Sequence, residues 1–90
     1  MVLLVLEREA LSDAVKLARQ SGCSVWAGSD AIGSEEHQHL VREGVKITRF
    51  SYPLANRTPK VLADALATIE EHHPVEIVWV QHDPLPDLPR

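Results

Sequence analysis

Apolar positions along this 90-residue chain follow two rhythms that alternate from one end towards the other. Residues 2–6, Val-Leu-Leu-Val-Leu, form a continuous apolar run, which suits a strand buried on both faces better than one with a wet side. Leu11, Ala14, Val15 and Ala18 then recur at helical spacing, and Gly22 stands where a helix of about three turns would stop. Residues 24–27, Ser-Val-Trp-Ala, read as a second strand, and residues 28–33 as a flexible connection bounded by glycines. Ser34 is placed to cap a second helix whose first turn carries Glu35 and Glu36, favourable at the positive end of the dipole. His37, Leu40 and Val41 share a face of that helix, and Gly44 ends it.

Residues 45–50 read as a third strand, rich in β-branched side chains, although its alternation falters at Arg49. Thr58 and Pro59 announce a third helix: Thr caps it, and Pro takes the first position, where a missing amide costs nothing. Leu62, Ala65, Leu66 and Ile69 form its buried stripe, and His72-His73-Pro74 closes it. Residues 77–80, Ile-Val-Trp-Val, are a fourth strand. Residues 83–90 have no pattern that could pack and read as a flexible Pro-rich tail, which leaves residues 1–82 as a single domain.

This βαβαβαβ alternation predicts an α/β domain with a mostly parallel four-stranded sheet and right-handed crossovers, flavodoxin-like or Rossmann-like. The expected strand order is 2-1-3-4, because it places the most apolar strand in the interior. That order gives one face a single helix and the other two, and leaves apolar surface exposed beside strands 3 and 4. It also makes strands 2 and 4 the edges, with Trp26 and Trp79 in their middles. Trp79 is therefore the candidate interface residue of a homodimer. The alternative is that both tryptophans pad the core beneath the helices.

Composition adds bounds rather than an identity. An apolar content of 44% and a charged content of 24% fit one ordinary globular core. The net charge of -4 argues against a nonspecific grip on nucleic acid or an anionic membrane. Cys23 is the single cysteine, so no intramolecular disulfide is possible, and it reads as an inert buried thiol. The apolar opening is too short for a membrane span and lacks a basic leader, which makes a cytoplasmic location the expectation.

In open α/β sheets, ligands bind beyond the carboxyl ends of the strands where the connections reverse direction. With the order 2-1-3-4 that point is the gap between strands 1 and 3. It would receive Glu7 and Arg8 after strand 1, and Ser51, Tyr52, Asn56 and Arg57 after strand 3. Asp30, His82 and Asp83 would stand farther along the same rim. Glu7, Arg8, Tyr52, Asn56 and Arg57 are thus the candidate ligand-binding residues. Two readings follow. One is a self-associating binding or interaction module that takes a small anionic or polar ligand there, with Arg57 and Lys60 flanking the start of the third helix. The other is a minimal enzyme in which Glu7 acts as general base while Tyr52 and Arg57 position the substrate.

Other motifs fall away on chemistry. Gly28 and Gly33 have the spacing of a phosphate loop, but Ser34 and Glu35 follow where Lys and Ser or Thr are required. His37 and His39 lie two apart and His72 and His73 are adjacent, so neither pair converges from a helix, and no metal or cofactor is expected. Residues 3–7, Leu-Leu-Val-Leu-Glu, with Asp13 to Ala18 and Val25 to Gly28, resemble the opening of a Toprim domain. In that family a strand ends in a catalytic Glu, and a later Asp-x-Asp pair binds magnesium. The resemblance covers under half of the chain. Here the third strand runs on into Arg49-Phe-Ser-Tyr-Pro53 without such a pair, so the resemblance implies no activity.

Overall fold

Gly22 ends the first helix in the way its position suggests: it takes φ 74°, open to glycine without strain, and its amide donates to the Ala18 carbonyl. The computed structural model describes residues 1–81, so the expected tail at 83–90, together with His82, lies outside the described residues. The elements are β1 (Val2–Val5), a 3-10 turn (Arg8–Ala10), α1 (Leu11–Ser21), β2 (Ser24–Ala27), α2 (Ser34–Arg42), β3 (Ile47–Arg49), α3 (Pro59–His72) and β4 (Val78–Val80). Two caps differ in detail from expectation. Gly33 rather than Ser34 takes the extended cap position of α2, with the Glu36 carboxylate reaching back to its amide at a long 3.5 Å. Thr58 occupies the cap position of α3 without a side-chain bond, and Pro59 takes the first helical position.

All four strands are parallel, and their order is β3-β2-β1-β4 rather than 2-1-3-4. The correction has a physical cause. Val25 and Ala27 point to one face of β2 and Trp26 to the other, and all three are buried, so β2 needs cover on both faces. In β3 Thr48 is exposed and Lys46 precedes it in solvent, which is the character of an edge. The two tryptophans therefore part company. Trp26 lies on an inner strand at 6% exposure, and Trp79 lies on the edge strand β4 at 59%.

The order also redistributes the helices. The connections β1 to β2 and β2 to β3 run one way along the sheet, so right-handed crossovers put α1 and α2 on one face. The connection β3 to β4 runs back across β2 and β1, which puts α3 on the opposite face. Two cores result. Val5, Val25, Ala27 and Ile47 pack with Leu11, Ala14, Ala18, Ile32 and Leu40 beneath α1 and α2. Val2, Leu4 and Leu6 pack with Ala65 and Ile69 beneath α3. A lone helix is too narrow for four strands, and aromatic rings extend its cover: Trp26 meets Phe50 at 5.2 Å between centroids, and Phe50 meets Tyr52 at 5.2 Å. Apolar exposure is thus not a property of the single-helix face as a whole. It concentrates at β4, which α1 and α2 leave bare on their own face.

Candidate functional site

Reordering the strands moves the switch point. In the order 3-2-1-4 the connections diverge from β1, so the crevice lies between the carboxyl ends of β1 and β4, not between β1 and β3. The residues delivered there are Glu7 and Gln81, and Arg57 reaches across from the loop before α3. The Arg57 guanidinium lies 3.6 Å from the Glu7 carboxylate and donates to the Gln81 carbonyl at 3.2 Å. The Gln81 side-chain carbonyl accepts the amides of Leu6 and Glu7, each at 2.8 Å. Gln81 was not legible as a site residue, since an uncharged polar side chain after an apolar run reads as the start of a loop.

Of the five candidates, the structure brings Glu7 and Arg57 together and disperses the others. Arg8 turns away to make a bidentate contact with Glu36 of α2, at 2.9 and 3.2 Å. Tyr52 packs against Phe50 on the α3 face, where burial first and the Asp64 carboxylate second push its phenol above its ordinary pKa. Asn56 is exposed in the turn that the Arg57 amide closes on the Leu54 carbonyl. Arg57 itself holds φ 54°, an uncommon backbone for a residue with a Cβ. The ensemble acts as a bracket that fastens β4 to β1. An anion bound to Arg57 would have to displace the Glu7 carboxylate.

The neighbouring loops are clasped in the same manner. The Asp30 carboxylate accepts the amides of Leu54 and Ala55 at 3.2 and 3.1 Å, and the Ser29 amide donates to the Tyr52 carbonyl. Arg49 donates to the carbonyls of Ile32 and Ser29. Gly28 sits where the two loops meet: a Cβ there would stand 2.9 Å from an Asp30 oxygen and 3.0 Å from the buried Leu54 side chain. That close approach accounts for the glycine without any phosphate.

At the opposite end of the strands, the Trp26 indole donates to His73 Nε2 at 3.3 Å. An indole N–H can only donate, so Nε2 accepts and the imidazole proton resides on Nδ1, which donates to Glu76 at 2.7 Å. The Met1 amine donates to the other Glu76 oxygen at 2.8 Å. That amine, followed by His73, draws the Glu76 carboxyl below its ordinary pKa. Cys23 is free and buried nearby. Among the described residues no three His, Cys, Asp or Glu side chains gather as metal ligands. No helix among them is long and apolar enough to cross a membrane.

The largest departure from an ordinary surface lies at the β4 edge. Ile77 is 68% exposed, Trp79 more than half, and Leu17 of α1 stands beside them at 45%. Trp79 pairs in register with Leu3 and, with Leu3, Ala10, Ala14 and Leu17, lines a shallow apolar groove of about 180 Å³. On the α3 side of the same edge, Leu66 and Val75 border a second hollow together with Val78. Soluble monomers keep contiguous apolar patches small, and edge strands are ordinarily blunted by charge or proline. Comparison with known proteins leaves these observations to stand by themselves: no protein-family model matches the chain, and no curated protein and no solved structure matches it.

Proposed function

We propose that this chain is a small interaction module that self-associates through the β4 edge of a Rossmann-like half-sheet. The single observation that carries the reading is the bare fourth strand, where Ile77 and Trp79 stand in solvent and no charged residue interrupts residues 77–80. Strand order adds weight. A doubly wound nucleotide-binding sheet runs 3-2-1-4-5-6, so the side of β4 that pairs with no strand among the described residues is where such a sheet receives its next strand. The bracket of Glu7, Arg57 and Gln81 supports the same reading, because it fastens β4 to β1 on its inner side.

Sedimentation of the full chain tests the proposal. At tens of micromolar the expected species is a dimer, dissociating on dilution with a micromolar constant, in keeping with an interface of modest size. Trp79→Ala is expected to sediment as a monomer with an unchanged far-UV spectrum. A wild-type monomer at every concentration would refute the reading.

A further inference from the structure

The β4 edge carries more information than its apolarity. We infer that its partner is a second copy of this chain, paired antiparallel through β4 about a two-fold axis at Val78, so that four strands from each copy join in one sheet. The inference rests on the self-association reading above and gives it a geometry.

Backbone direction supplies the first argument. The Ile77 carbonyl accepts the Val2 amide and the Gln81 amide donates to the Leu4 carbonyl, so these odd-numbered residues turn their backbone groups towards β1. Alternation then turns the amide and carbonyl of Val78 and Val80 outward. With the axis at Val78, that residue exchanges both hydrogen bonds with its own copy. Glu76 then lies opposite Val80 of the partner subunit. Backbone direction admits the registers that set even-numbered residues opposite one another, and this register is one of them.

Side chains agree with that register. Ile77 falls opposite the partner's Trp79, and Trp79 opposite the partner's Ile77, at the non-hydrogen-bonded positions where side chains approach most closely. A β-branched residue against an aromatic one is a favourable cross-strand pair, and here the strand makes it twice with itself. No charge lies within residues 77–80, so a chain of net charge -4 meets no like charge across the axis there. Apolar surface flanks the edge on both faces: Ile77, Trp79 and Leu17 on the α1 side, Leu66 and Val75 on the α3 side. A helix docked in the Trp79 groove would cover only one of these faces, whereas an added strand with its own helices covers both. These five large apolar residues on two faces of one edge are the kind of surface from which a standard interface, burying about 800 Å² per partner, is built.

Val75 supplies the independent argument. It takes φ 70°, a backbone region that a β-branched residue avoids, and its side chain is wholly exposed. Glycine or asparagine would fit that turn without strain, and a polar residue would suit the solvent. The exposure ends if the valine is an interface residue, and its burial there offsets the backbone strain that the turn retains.

Cross-linking tests the geometry. In a full-length Cys23→Ala, Val78→Cys chain, two-fold pairing brings the new thiols to a Cα separation of about 5.5 Å, inside the range a disulfide accepts. Mild oxidation with diamide is expected to give a covalent dimer, and the same treatment of Cys23→Ala, Thr48→Cys, on the opposite edge, is expected to give none. Val75→Gly is expected to raise the unfolding midpoint of the monomer by a few degrees while weakening the dimer about tenfold. A dimer by sedimentation that fails to cross-link at position 78, or cross-links equally at 48, overturns the antiparallel register and leaves self-association standing. Val75→Gly that stabilises without weakening association removes Val75 from the interface and overturns that part of the geometry. A wild-type monomer overturns both proposals.

Discussion

At the β3 end of the sheet, Lys46 and Thr48 stand in solvent, and Arg49 folds back to bond the carbonyls of Ile32 and Ser29. At the β4 end, the exposed positions are Ile77 and Trp79, and the nearest charge, Glu76, is engaged by Met1 and His73. Both are short parallel edge strands of three residues. One presents polar side chains and uses its arginine to seal its own loop, as edges that must stay single do. The other presents an aromatic and a β-branched residue beside an open groove. Two edges of one small sheet thus follow opposite rules, and the proposed self-association rests on that contrast.

Substitutions divide along the same line. The largest effect is expected at the inner strand next to β3: Trp26→Ala removes the ring that widens the α3 core and should lower stability by about 3–5 kcal/mol in urea titration. Next, Ile77→Lys gives β4 the character of β3. It should weaken the dimer about a hundredfold in sedimentation equilibrium while changing monomer stability by less than about 0.5 kcal/mol. Arg49→Ala should do the reverse, costing about 1–3 kcal/mol of stability through two orphaned carbonyls and leaving association unchanged. Equal effects of Ile77→Lys and Arg49→Ala on association would dissolve the contrast between the edges.

The smallest effect is a pH dependence beside β4. Glu76 titrates lower in the folded chain than its ordinary value of 4.5, so its contribution is present above that value and fades as pH falls through the lower folded value. Glu76→Gln should flatten the acid limb of the stability profile below pH 4.5, read by thermal unfolding against pH. An unchanged limb would assign the acid sensitivity to other carboxylates.

Much of this architecture is legible in the pattern of apolar positions. The two stop and start signals at Gly22 and Pro59 fall where the helices end and begin, and each strand lies within the stretch of sequence that announces it. Strand order was not legible from apolar content, because β1 and β2 both bury and the ranking of β1 alone does not say which neighbour stands inside. The deciding signal was polarity in β3, where Lys46, Thr48 and Arg49 mark an edge. The candidate site was legible in part. Glu7 and Arg57 meet because both follow strands at the same end of the sheet, but Gln81 enters only once β4 lies beside β1. The positive φ of Arg57 and Val75 had no sequence signal at all, since neither is a glycine or an asparagine.

The register of β4 against β1 makes residue 2 a neighbour of residue 78. During synthesis β1 is made before β2 and β3, and the strand that pairs with its other side follows all three. Until then β1 lies with one side unmatched, and closing that gap is a long-range step of the kind that slows folding. A second chain at the same stage offers the missing strand too, so the topology that builds the monomer also invites exchange of β4 between copies, a route to domain-swapped dimers when nascent chains are crowded.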